Sequence, residues 1–280
     1  MTDPYLVFVR GADALALNGI EATGSGIEAG PGASGFGAPP VTVQWAEGAG
    51  HGAAYRRTRV LPRDLDLPLQ IADADREGLG RWVSRLAAFL ASGPFELRWM
   101  LPTGEYWALG VVYTGGGDWG IGDEASGETW LKTAITLRAP DPWWIYSRAE
   151  QVTLTPPALT EGSVIRGPVL GEPFTLTNAG DAPAPPVWDV HGPATQVRVT
   201  DSGTGFTWSG TLAAGERLTF DAKARTVTDS AGASRYAGLE SHPKFFTLPP
   251  GASRLRVDIE GAGDETRAVI WWRRRRWAVI

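Results

Sequence analysis

Arg138-Ala139-Pro140-Asp141-Pro142-Trp143-Trp144 is the stretch that divides this chain. The prolines on either side of Asp141 cannot donate ladder hydrogen bonds, so a strand arriving at residue 138 has to stop here. The adjacent indoles are too large to be left in water without a packing partner. Upstream the pattern mixes strands with one helix; downstream it is almost wholly strands. Pro140, Asp141, Pro142, Trp143 and Trp144 therefore read as a rigid aromatic joint between two β-rich halves, residues 1–145 and 146–280. Such a joint suits a building block that holds domains at a fixed angle better than it suits a catalytic cleft.

Working back from the joint, Thr129–Arg138, Glu105–Thr114 and Phe95–Leu101 read as strands. The last two are linked by Pro102-Thr103-Gly104, and the first is preceded by a glycine-rich loop, Gly115–Gly127. Leu79, Trp82, Val83, Leu86, Phe89 and Leu90 fall on one helical stripe over about residues 73–92, with Asp73 as N-cap and Gly93-Pro94 as stop. Burial of that stripe stabilises by roughly 1.5–3 kcal/mol per large side chain. Backbone ordering costs about 1–2 kcal/mol per residue, so the helix has to dock on a sheet. It is the one long helix the sequence predicts.

Ahead of it, Leu65, Leu67, Leu69 and Ile71 alternate with Asp66, Pro68 and Gln70, the period of a half-buried strand. Val41–Ala46 and Tyr55–Val60 flank a glycine turn, and Leu6–Val9 reads as a buried strand. Between them Gly19–Pro40 holds glycines at 19, 24, 26, 30, 32, 35 and 37, which predicts a long flexible loop.

Beyond the joint, short strand-like runs recur: Gln151–Leu154, Phe174–Asn178, Val187–Val190, Gln196–Thr200, Thr204–Ser209, Arg217–Asp221, Thr226–Thr228, Lys244–Leu248, Arg254–Glu260 and Thr266–Trp277. Turn signals such as Asn178-Ala179-Gly180-Asp181 and Ala214-Gly215-Glu216 punctuate them, as in a β-sandwich. The fold class is thus mainly β: an antiparallel domain with one packed helix, then a sandwich. The 36 glycines and 21 prolines in 280 residues agree with so many turns.

Composition excludes several functions. No cysteine is present, which rules out disulfides and thiolate metal sites. A net charge of −5 gives no global attraction to nucleic acid. The N-terminus has no basic segment followed by an apolar core, so no secretory signal is expected and synthesis in the cytosol is. No apolar run approaches a membrane span. His51, His191 and His242 stand alone in turn-like contexts, so no metal site is expected. Asp73-Ala74-Asp75 resembles the start of a calcium loop, but position twelve is Ser84 and the helical stripe is already running. Neither a nucleophile elbow nor a phosphate loop exists. No catalytic residue or cofactor is assigned, and the expectation is a protein that is not an enzyme.

Two aromatic features remain. Trp271-Trp272-Arg273-Arg274-Arg275-Arg276-Trp277 would alternate in a strand. Arg273, Arg274, Arg275 and Arg276 are candidates for anion or subunit contacts, while the plainer reading is a terminal sandwich strand whose arginines pair with carboxylates. Among thirteen tryptophans, Trp99, Trp107 and Trp130 read as core. Trp188 and Trp208 are either core or exposed platforms for sugar.

The ordered set Gly35-Phe36-Gly37-Ala38-Pro39-Pro40-Val41, Gly52 to Tyr55, Arg63, the helix and the Pro140–Trp144 joint resembles the N-terminal half of siphophage distal tail proteins. Asn178-Ala179-Gly180-Asp181, Trp188, Gly192-Pro193, Ala214-Gly215-Glu216, Leu248-Pro249-Pro250-Gly251 and the final Trp-Arg strand continue the likeness through the second half. The resemblance implies a homohexameric ring at the tail tip, built from the first halves, with galectin-like second halves projecting outward. Tail tube and tail-associated hub proteins would be its neighbours, and DNA would pass through the bore unread. No catalytic residue carries over. The competing reading is a carbohydrate-binding module or adhesin that grips host-wall glycan through Trp188 or Trp208.

Overall fold

The structure is a computed structural model and describes residues 4–120, 126–156 and 169–280. By contact the chain divides into Met1–Ser147 with Arg276–Ile280, and Arg148–Arg275. The first unit holds β1 (Tyr5–Arg10), β2 (Asp13–Ala16), α1 (Gly19–Thr23), β3 (Gly26–Ala29), β4 (Val41–Glu47), β5 (Ala53–Val60), β6 (Arg63–Ala72), α2 (Arg76–Ala91), β7 (Phe95–Met100), β8 (Tyr106–Gly116) and β9 (Trp130–Ala139). Next, β10 (Trp144–Leu154) gives its first four residues to this unit and the rest to the second.

Antiparallel pairing runs β2-β1-β7-β8-β9-β6-β3. A bridge between Asn18 and Glu28, and the bond from Ala29 N–H to Leu17 O, bring the two ends of that path together. The result is a closed barrel, which removes the exposed edges that invite aggregation. The alternating leucines of β6 are all buried, at 0–1% exposure, and its partners Ile135 and Leu137 on β9 complete the wall.

The helix is shorter than the hydrophobic stripe suggested. Asp75, not Asp73, caps it, accepting the Gly78 N–H at 2.7 Å. Asp73 instead accepts the indole N–H of Trp82 at 2.9 Å. Two acids stood within reach of the helix start, and the local bond from Trp82 of the helix itself engages Asp73 and leaves the cap to Asp75. Leu79, Leu86, Phe89 and Leu90 bury into the barrel core.

Two further expectations are corrected. Gly19–Pro40 is not one loop, because α1 and β3 lie within it, and β3 is held by β6 from Gly26–Ala72 to Ala29–Leu69. Lys244–Leu248 is not a strand. Leu248 makes a single bridge to Ala184, while Phe245 and Phe246 plug the second core. Part of the predicted Gly115–Gly127 loop lies outside the described residues.

The second unit is a sandwich. Its four-stranded sheet orders β11 (Phe174–Asn178), β17 (Gly251–Glu260), β13 (Ala194–Asp201) and β14 (Thr204–Leu212). The facing sheet runs β16 (Thr226–Asp229), β15 (Arg217–Asp221), β12 (Val187–His191), β18 (Arg267–Arg276) and the later part of β10. Inward residues of both sheets form one core that includes Trp188, Trp208, Phe206, Phe220, Val257 and Ile270.

Candidate functional site

The feature of the first unit that its own core does not explain is the β4–β5 hairpin. Among the described residues it pairs with no other strand. Register puts Val41 opposite Val60, Val43 opposite Thr58 and Trp45 opposite Tyr55, so these six share one face. Thr42, Gln44, Arg57 and Arg59 take the other, where Arg57 Nε donates to Gln44 Oε1 at 2.7 Å. A bulge beside Trp45 leaves Arg56 as the extra residue. Trp45 and Tyr55 meet edge to face with centroids 6.0 Å apart, yet each is 59% exposed. An isolated two-stranded ribbon is marginal in water. This one presents a continuous apolar and aromatic face, and no described residue of its own chain covers it.

At the base of this ribbon lies a clamp. Arg63 opens β6 with only 1% exposure. Its Nη1 donates to Gly35 O and Gly37 O, both at 2.8 Å, and its Nη2 donates to Trp277 O at 2.5 Å. Burial holds the guanidinium down at about 10, which leaves it charged at neutral pH. Gly35 has to be glycine: its φ is +91°, and a Cβ would stand 2.4 Å from Asp64 O. The glycine motif and Arg63 are therefore one device, which also holds the C-terminal segment. Val279 N–H donates to Phe36 O, and Trp277 meets Trp143 edge to face at 4.9 Å. Residues 276–280 belong to the first unit for that reason.

The joint residues fit the same core. Pro140 is exposed and Pro142 buried, while Trp144 is fully buried, stacked on Phe36 at 6.0 Å with the Arg63 guanidinium 5.9 Å from its ring centre. β9 stops at Ala139 and β10 starts at Trp144, so the prolines occupy the break between two strands.

The arginine run does not form one strip. Arg274 pairs with Glu150 at 2.9 Å, and Arg275 is buried with its backbone carbonyl bonded to Asp181 and Ala182 N–H. Arg276 lies over the Trp107 ring at 4.5 Å, and Arg273 is exposed. Trp271 donates to Asp189, and Trp272 is buried. Trp188 and Trp208 are 0% and 1% exposed, Trp208 donating to Arg235 O at 3.0 Å. Stacking on sugar needs an open ring face, and neither has one.

Among the described residues no group of three or more histidines, aspartates or glutamates is placed to hold a metal ion. No described helix is long and apolar enough to cross a membrane. The exposed arm was missed by sequence reasoning, because alternation shows which residues share a face and not whether anything covers that face.

Residues 179–276, within the second unit but for the last residue, match the family described as siphovirus-type tail component, C-terminal domain. The whole chain has the fold of a distal tail protein. It superposes on the crystal structure of the SPP1 Dit (gp 19.1) protein, described as a paradigm of hub adsorption apparatus in Gram-positive infecting phages. The TM-score is 0.69 at 12% identity, covering 98% of this chain and 99% of that one. Chains of the phage P2 baseplate in its activated conformation, with Ca and with Sr, give TM-scores of 0.54 and 0.53 at 9% identity. They cover 98% and 97% of this chain and 98% of each of those chains. No curated protein sequence matches the chain.

Proposed function

We propose that this protein is a structural subunit of the distal end of a siphophage tail, working by assembly and not by catalysis. Six copies close into a ring through their first units, around a bore that passes DNA. The ring joins the tail tube to a tail-associated hub protein at the tip of the virion.

The observation that carries this reading is the bare β4–β5 arm. Closed cyclic assembly needs two different complementary patches on each copy. A two-stranded ribbon with an apolar face, rooted on the rigid Arg63 clamp, supplies one of them: Trp45 and Tyr55 are large aromatic anchors of the kind that dominate interfaces. Whole-length fold likeness to a Dit protein and to baseplate chains supports the same reading.

Mass photometry and negative-stain imaging of the purified protein, alone and with the neighbouring tail proteins, test it. A six-fold annular particle is expected. A chain that stays monomeric in every such mixture, or sits in the virion as a single copy, overturns it.

A further inference from the structure

The outward face of the four-stranded sheet in the second unit is a polar lattice. On β17 it carries Arg254, Arg256, Asp258 and Glu260; on β13, Gln196, Arg198 and Thr200; on β14, Thr207 and Ser209, all outside the core. Cross-strand register sets Asp258, Arg198 and Thr207 in one row, and Arg256, Thr200 and Gly205 in the next. Adjacent strands lie about 4.8 Å apart, so the donors and acceptors form a rigid grid.

The charges in this grid are not balanced locally. Asp258 is taken by Arg256, whose Nε reaches its two oxygens at 2.8 and 3.0 Å. Arg198, exposed in the next strand, makes no ion pair or hydrogen bond with any described residue. Arg198 borders a groove of about 440 Å³ whose far wall is the segment from Glu240 to Lys244. Thr200 and Thr207 line it, and His242 and Lys244 bring further nitrogen donors. Glu240 is engaged, its carboxylate accepting the Thr207 N–H at 3.2 Å. A second cleft of about 670 Å³ adjoins and shares Arg198 and Thr200.

The chemistry narrows the occupant. Strand addition is blocked on the β14 side, because Glu240 N–H already bonds Thr207 O and Lys244 N–H bonds Gly205 O. The one aromatic residue on the groove, Phe206, is buried with its ring in the core, so stacked bases find no platform. Apart from the Glu240 carboxylate, which the Thr207 N–H occupies, the polar side chains of the lining are hydroxyls, one imidazole and cations, without the apolar floor an amphipathic helix needs. What fits is a small molecule rich in hydroxyl groups that also bears a negative charge. We propose that this groove binds an acidic saccharide, whose carboxylate or phosphate seats on Arg198 while the sugar hydroxyls bond Thr200, Thr207 and Lys244. This is a different site from the buried Trp188 and Trp208, and it does not depend on ring formation.

Saturation-transfer NMR and calorimetric titration of the full chain, in whatever oligomer it forms, provide the test. The probes are trigalacturonate, a glucose phosphate and neutral maltotriose. At least one acidic probe binds, and maltotriose binds at least about tenfold more weakly, the discrimination expected of a charged hydrogen bond. Arg198→Ala loses about tenfold and Arg198→Glu more, with an unchanged melting temperature because the position is exposed. The glucose phosphate and trigalacturonate arms separate phosphate from carboxylate preference. Equal binding of charged and neutral probes, no binding by any, or binding indifferent to Arg198→Glu overturns the proposal. So does an assembly defect in Arg198→Glu without saccharide binding, which makes the face a subunit contact.

Discussion

Replacing Arg63 by methionine keeps most of the side-chain volume and removes the charge, and its cost follows from the clamp geometry. Three charge-assisted bonds are lost, to Gly35 O, Gly37 O and Trp277 O. At about 1.5–3 kcal/mol each the gross loss is about 4.5–9 kcal/mol. Against this, the guanidinium no longer has to leave water, a cost of several kcal/mol per buried ion. The same burial cost holds its pKa down at about 10. The methionine leaves three carbonyl oxygens facing an apolar side chain, so the net destabilisation should be about 3–5 kcal/mol, the range for breaking a buried charged contact. For a unit of this size that lowers the melting transition by about 6–20 °C. Calorimetry should assign the shift to the first unit's transition, leaving the second's in place. Amide exchange at Val279, whose N–H bonds Phe36 O, should accelerate in the same variant. Arg63→Lys keeps the charge but not the fork, and should fall between. If Arg63→Met melts within about 1 kcal/mol of the parent, or if Val279 keeps its protection, Arg63 is a passenger and the clamp reasoning fails.

Three other perturbations have signed outcomes. Burial first, then Arg267 with help from Arg217, holds His191 below its ordinary value, with Asp189 pulling the other way. The folded chain therefore binds that proton more weakly than the unfolded chain. Stability should fall as pH drops through about 6.5 and level off below the folded-state value, a slope that His191→Asn should flatten in melting curves. Within α2, Gly80 is exposed with open space where a Cβ would go, so Gly80→Ala should stabilise by about 0.5–1 kcal/mol. Gly78→Ala should not, because its Cβ would stand 2.3 Å from the Asp73 carboxyl carbon and displace the acceptor of the Trp82 N–H; paired urea melts compare the two. On the arm, Trp45→Ala with Tyr55→Ser should leave the monomer's melting within about 0.5 kcal/mol. Subunit association should weaken by about 30-fold or more, the effect of one hot spot lost, read as a shift of mass to lower species on dilution.

Much of the architecture was legible because it rests on short-range signals. The β6 leucines alternate, and every one is buried. The stripe Leu79–Leu90 is helical, and the prolines at 140 and 142 do fall between β9 and β10. The misreadings have a common physical origin. β3 has one strong apolar residue, Ile27, between Gly26 and Glu28, and only the already formed β6 edge makes it a strand. Phe245 and Phe246 carry strand propensity, yet their rings are needed against Trp188 and Phe206, which an irregular backbone allows. Whether Trp188 and Trp208 were core or platform was open until register fixed their faces.

The Arg63 clamp was invisible for a related reason, since its acceptors lie at residues 35, 37 and 277, the last 214 positions away. A single arginine before an alternating strand looks like a surface charge, and only the closed barrel turns it inward. The β4–β5 arm is the reverse case. Its alternation promises a half-buried ribbon, and among the described residues no further strand covers its apolar face. Local pattern encodes that an apolar face exists; which molecule covers it is encoded elsewhere. A two-stranded ribbon is marginal in water by itself, so an apolar face that no described residue covers is the place to look for a second polypeptide. Dilution of the Trp45 and Tyr55 variant examines directly whether a second copy lies there.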